Sequence, residues 1–150
     1  MYKSGKRFGH ELGLSCCFRQ WKADSHCRYL HGYALAVSFE FETEELDVRN
    51  WVVDFGSLKS LKQLLEIQFD HTTLVAMDDP EYETFKLMEE KGLIQFRAVP
   101  ATGCEAMAKL IYEVTEIWLK DNGYSPRVSL SKVTVAEHGA NWASYENKPR

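Results

Sequence analysis

The hydrophobic period of this chain changes along its length, from two to about 3.6 and back to two, so strands and helices must share one fold. Tyr33 to Phe41 (YALAVSFEF) alternates as a half-buried strand does. Phe8 to Phe18 alternates enough for a second strand, with His10, Leu12, Leu14 and Cys16 on one face, and the polar loop Arg19 to Arg28 makes the two a long antiparallel pair. The period then switches. Behind a start signal at Asp54 or Ser57, Leu58, Leu61, Leu64 and Leu65 share one helical face. Pro80 to Lys91 reads as a short helix ended by Gly92, and Leu93 to Val99 as a brief strand before Pro100. From Thr102 onward Ala106, Leu110, Ile111, Val114, Ile117 and Trp118 hold a helical stripe until Asp121-Asn122-Gly123 stops it. Val128 to Glu137 is a last strand. No repeat, low-complexity run or linker divides the chain, so residues 1–150 read as a single α+β domain.

The 150 residues are enough to bury about two thirds of the surface of the unfolded chain. A net charge of -4, without clustered Lys and Arg, leaves no electrostatic footprint for nucleic acid. Lys3, Lys6 and Arg7 are not followed by an apolar stretch of signal-peptide length, and no window approaches a membrane span, so a cytoplasmic protein is expected. In that reducing compartment Cys16, Cys17, Cys27 and Cys104 are free thiols or metal ligands. As strand neighbours, Cys16 and Cys17 point to opposite faces.

Three short contexts suit a small active site better than a core: CRYLHGY, FDHTTL and VTVAEHG. The first sets the soft nucleophile Cys27 four residues before the imidazole of His31. The second ends an amphipathic segment in Asp70-His71, a pair able to activate a thiol. In the third, Glu137 closes a β-branched strand, where a carboxylate can be held rigidly and read a flat nitrogen heterocycle through two hydrogen bonds.

In this order the motifs resemble the 6-pyruvoyl-tetrahydropterin synthase and 6-carboxytetrahydropterin synthase family. The family's Cys-x-x-x-His-Gly-His appears as Cys27 to Tyr33, its I/V-D-F as Val53-Asp54-Phe55, its Asp-His as Asp70-His71, its Pro-Thr-x-Glu as Pro100 to Glu105, and its strand-ending glutamate as Glu137. The resemblance implies the tunnelling fold, with an antiparallel four-stranded sheet, two helices on one face, and the sheets of several subunits joined into a barrel. It also implies a lyase that eliminates triphosphate from 7,8-dihydroneopterin triphosphate; the carboxy-forming branch of the family feeds deazapurine synthesis. Cys27, Asp70 and His71 would be catalytic. Glu137 would anchor the pterin, and Thr102 and Glu105 would make secondary substrate contacts.

The family holds zinc with three histidines, two of them from His-Gly-His, and here the second is Tyr33, a poor ligand beside imidazole or thiolate. A rebuilt set would be His31, Cys16 and His10, or His26 in place of His10. The other departure is the stretch from Ala76 to Val99, longer than the family's link, which could reshape the pocket rim. Thr102-x-x-Glu105 is also a capping-box sequence, His138 reads as a strand-end surface residue, and Trp142 and Tyr145 as packing or subunit contacts. Cys27 is expected to be the most reactive thiol, with Cys104, in a helix's first turn, as its rival. Two function classes follow: a pterin-converting lyase, and a metal-free protein of the same fold that binds a pterin or purine without this chemistry. Open strand edges on a lone subunit point to a homo-oligomer built on trimers or larger rings.

Overall fold

A computed structural model describes residues 1–147. Its strands are β1 (Tyr2–Phe8), β2 (Leu14–Phe18), β3 (His31–Thr43), β4 (Thr72–Ala76), β5 (Phe96–Val99), β6 (Val128–Ala136) and β7 (Trp142–Tyr145); its helices are α1 (Lys59–Phe69), α2 (Tyr82–Glu90) and α3 (Cys104–Asp121). The strands form one seven-stranded sheet in the order β5-β4-β2-β3-β6-β7, with β1 also paired to β3.

The 13-residue β3 organises this sheet. Its first half pairs antiparallel with β2, its second half with β1, and its other edge with β6. Alternation sends Leu35, Val37, Phe39 and Phe41 into the core, where Phe41 is fully buried. Leu58, Leu61, Leu65 and Phe69 of the first helical segment cover that face, with Met107, Ile111, Tyr112 and Trp118 of α3. Each such side chain contributes roughly 1.5–3 kcal/mol of hydrophobic stabilisation.

The α+β class and the tunnelling fold match expectation, but the sheet does not have four antiparallel strands. It has seven, and β4 and β5 run parallel to β2. β4 directly follows the Asp70-His71 pair, the 76–99 stretch supplies β5, and α2 of that stretch sits on a small apolar cluster apart from the main core, Val75, Phe85 and Phe96. The helices are correspondingly three rather than two. The strand expected from Phe8 to Phe18 is broken at His10–Leu12, a single 3-10 turn closed by Gly13 at φ +70, so β1 and β2 lie end to end along β3 rather than as one strand. Two helical faces are also rotated from the expected stripes: Leu64 and Ile117 are exposed, and the buried side of α3 runs through Met107, Ala108, Thr115 and Leu119 instead.

Start and stop signals are used as chemistry dictates. The Asp54 carboxylate accepts from the Gly56 N–H at 2.9 Å and caps the 3-10 turn Phe55–Leu58 that runs into α1. Thr102 and Glu105 do not form the capping box. Gly103 is the N-cap, at φ +107, and the Thr102 hydroxyl donates to the Arg19 carbonyl at 2.7 Å.

Candidate active site

Antiparallel pairing puts Phe18 opposite His31 and Cys16 opposite Tyr33. All four project to the helix-covered face, since they alternate with Ser15, Cys17 and Gly32. The rings of Phe18, His31 and Tyr33 form a mutual cluster, with centroids 5.3 Å apart for Phe18 and His31, 5.9 Å for Phe18 and Tyr33, and 5.3 Å for His31 and Tyr33. Cys27 precedes this cluster on the 3-10 turn His26–Arg28, which Ser25 caps.

Tyr33 is where the candidate residues meet. Burial pushes its phenol above the ordinary value, reinforced by the nearby Glu137 carboxylate and by the Cys27 and Cys104 thiols. Cys104, the first residue of α3, lies near the same carboxylate. Burial first, then the Glu137 charge, pushes Cys104 up to about 12, so the helix N-terminus does not make it a rival nucleophile. Burial foremost, then its neighbour Cys17, pushes Cys16 up to about 12. Beside these two groups, the Glu137 carboxylate offers its lone pairs to the donors of a ligand.

Asp70 and His71 lie elsewhere. Asp70 is the C-cap of α1, and its Oδ1 is 2.9 Å from His71 Nδ1, so it can hold the ring in the tautomer that leaves Nε2 free. His71 takes φ 58, a left-handed conformation costing a non-glycine residue on the order of 1 kcal/mol, and is fixed there by its N–H on the Ser15 carbonyl at 2.6 Å. Its side chain is 78% exposed. It lines a groove of about 520 Å³ with Cys17, Ala34, Thr73 and Gln95, positions that alternate with the helix-facing Cys16 and Tyr33, which also touch its wall. The structure does not bring the Asp70-His71 pair to Cys27 within one chain.

The expected metal set is not assembled either. Cys16 is buried, His26 is exposed on its turn, and His10 Nδ1 sits 2.5 Å from the Ala34 carbonyl. Among the described residues no three His, Cys, Asp or Glu side chains converge on a point that could hold a metal ion. The strand-end position facing His31 and Tyr33 is Phe18, which offers no donor. His31 spends Nδ1 on the Tyr29 carbonyl at 2.6 Å. Three ligands are the minimum for a zinc centre of the family's kind, and the residues present do not fit one.

Sequence reasoning also missed the framework around Cys27. Arg19, one residue past β2, forms a two-point ion pair with Asp79, at 2.9 Å and 2.6 Å. The next residue, Gln20, donates its N–H to the Cys27 carbonyl at 2.9 Å. Trp21 and Lys22 reach Asp78 at 3.2 Å and 3.4 Å. The 76–99 stretch therefore braces the loop that carries Cys27. The signal available was an arginine at a strand end followed, sixty residues on, by paired aspartates, a separation that spacing rules do not reach.

A model of the family described as 6-pyruvoyl tetrahydropterin synthase matches residues 10–148, and the chain belongs to that family. It is similar to the 6-carboxy-5,6,7,8-tetrahydropterin synthase of Aquifex aeolicus, 28% identical over 141 residues covering 91% of this chain and 85% of that one. Among solved structures, the uncharacterized protein WS1659 of Wolinella succinogenes superposes with a TM-score of 0.82 at 22% identity, over 98% of each chain. A catalytic-residue mutant of Plasmodium vivax 6-pyruvoyltetrahydropterin synthase superposes with a TM-score of 0.73 at 16% identity, over 99% of this chain and 100% of that one. These two likenesses carry the fold. No helix of the described residues is long and apolar enough to cross a membrane.

Proposed function

We propose that this protein is a tetrahydropterin synthase-type lyase acting on 7,8-dihydroneopterin triphosphate, with Glu137 as the anchor of the ring and Cys27 as the group that moves protons on its side chain. The observation that carries this reading is the placement of the Cys27 turn just before the Phe18–His31–Tyr33 ring cluster, with Glu137 close enough to Tyr33 and Cys104 to raise both groups. The Tyr33 phenol and the Cys104 thiol flank the Glu137 carboxylate, whose lone pairs accept a ring N–H and the 2-amino group. As thiolate, Cys27 takes a proton from a side-chain carbon and, as thiol, returns one to the neighbouring atom. Thr102 holds the entry to α3 through Arg19, and the exposed Glu105 is a secondary contact from the first turn.

The Asp70-His71 pair opens on the other side of β2, so its base would serve the Cys27 of a second copy. That is the reason to expect a homo-oligomer, trimer-based, with sites at subunit boundaries. Glu137→Gln tests the anchor. The isosteric amide replaces one acceptor by a donor, and the lost charge-assisted pair should weaken neopterin about 30- to 100-fold by calorimetry. Unchanged affinity removes the anchor. Turnover of 7,8-dihydroneopterin triphosphate that disappears in Cys27→Ala supports the lyase.

A second reading, a metal-free binder of a pterin or purine without this chemistry, is favoured by the Phe18–His31–Tyr33 cluster, which leaves nothing to polarise the substrate's side-chain oxygens. Neopterin binding with no turnover, by protein supplied with zinc, selects it.

A further inference from the structure

The sheet face turned away from α1 and α3 carries polar chemistry that the Cys27 and Glu137 site does not use. Register places Arg7 beside Ser38 and Ser38 beside Thr134, one row across β1, β3 and β6. These positions alternate with the buried Phe8, Val37, Val133 and Val135, so their side chains stand on the open face. Lys132 follows two residues before Thr134 on the same face, and Trp142 stands opposite Ala136 on the row beyond.

Together they line a cleft of about 310 Å³, closed at one end by His138. The size suits a small molecule. No carboxylate lines it, although the chain carries a net charge of -4. The nearest acid on this face is Glu40, whose Oε1 is engaged by Lys3 at 2.8 Å and by Ser131 at 2.8 Å, and which holds Lys132 only in its field. Neither Arg7 nor Lys132 makes an ion pair or a side-chain hydrogen bond among the described residues. His138 accepts at Nδ1 from the Ala140 N–H, 3.2 Å away.

Two cations that make no direct ion pair, flanked by two hydroxyls and bordered by a 65% exposed indole, are the elements of an anion site with a stacking wall. We infer that this cleft binds a phosphate-bearing small molecule, with the phosphate between Arg7 and Lys132, hydrogen bonds from Ser38 and Thr134, and a flat ring against Trp142. The site is separate from Glu137, which follows the strand on the far side of the alternation.

Calorimetry of the full chain at low salt, with inorganic triphosphate and with adenosine monophosphate as probes, tests it. Both should bind, and Arg7→Gln and Lys132→Gln should each weaken binding roughly fivefold, the upper range for an exposed ion pair. Trp142→Ala should weaken the nucleotide and leave triphosphate unchanged. Glu137→Gln should alter neither, which keeps this outcome independent of the pterin reading. Absence of binding by both probes, or binding indifferent to both cation variants, overturns the proposal.

Discussion

Asp79→Asn is the perturbation that most directly probes how the 76–99 stretch serves the site. The Asp79 carboxylate is 2% exposed, while its partner Arg19 keeps 23%. It receives two guanidinium hydrogen bonds and, at Oδ1, the Glu81 N–H at 2.8 Å, which starts the turn into α2. Breaking a buried ion pair by removing one partner costs about 3–5 kcal/mol. The amide keeps the shape and one acceptor, and Arg19 retains some water, so the loss here should fall just below that range, about 2–3 kcal/mol by urea unfolding. In a chain of this size that is roughly 5–10 °C in Tm. Its pH dependence has a definite sign. The Arg19 hydrogen bonds, foremost, hold the Asp79 carboxyl below the ordinary range, so the stabilisation is full above the unfolded value of about 4 and is lost as pH falls through the folded one. The gap between wild type and Asp79→Asn should therefore close under acid. The same variant loosens Arg19, and through Gln20 the Cys27 turn, so alkylation of Cys27 near neutral pH should accelerate. A change below about 0.5 kcal/mol with unaltered Cys27 labelling would refute the bracing role.

Brief, limiting alkylation at neutral pH should mark Cys27 before the others, with Cys16 and Cys104 silent until near pH 12; mass spectrometry showing Cys104 first would sink this order. Phe18→His combined with Tyr33→His sets three imidazoles around one point and should give about one tightly held zinc per chain by metal analysis, where the wild type after the same zinc loading and desalting retains none at this site. Equal zinc in both proteins would show that the ring cluster does not govern the metal. Light scattering at micromolar concentration should report a trimer or a multiple of it, and a stable monomer would contradict delivery of His71 from a neighbouring copy.

Much of the fold is legible along the chain because it rests on local periodicity. The β3 alternation, the leucines of α1, the stop at Gly123 and the last strand each follow from side chains a few residues apart. Cys27, His31 and Glu137 stand out for the same reason, as reactive or charged groups in apolar contexts. What local pattern could not supply is register. That Phe18 rather than Cys16 or His10 faces His31 depends on how β2 slides along β3 across a loop, and a one-residue slip would exchange every face. Nor could it supply pairing at long range. The parallel addition of β4 and β5, the Arg19–Asp79 brace, and the separation of Asp70-His71 from Cys27 by a strand exist only once segments distant along the chain are packed together. The sequence by itself determined which elements form and which groups are reactive, because those are short-range properties; tertiary structure alone decided which of those groups share a site, because that depends on the face each strand presents.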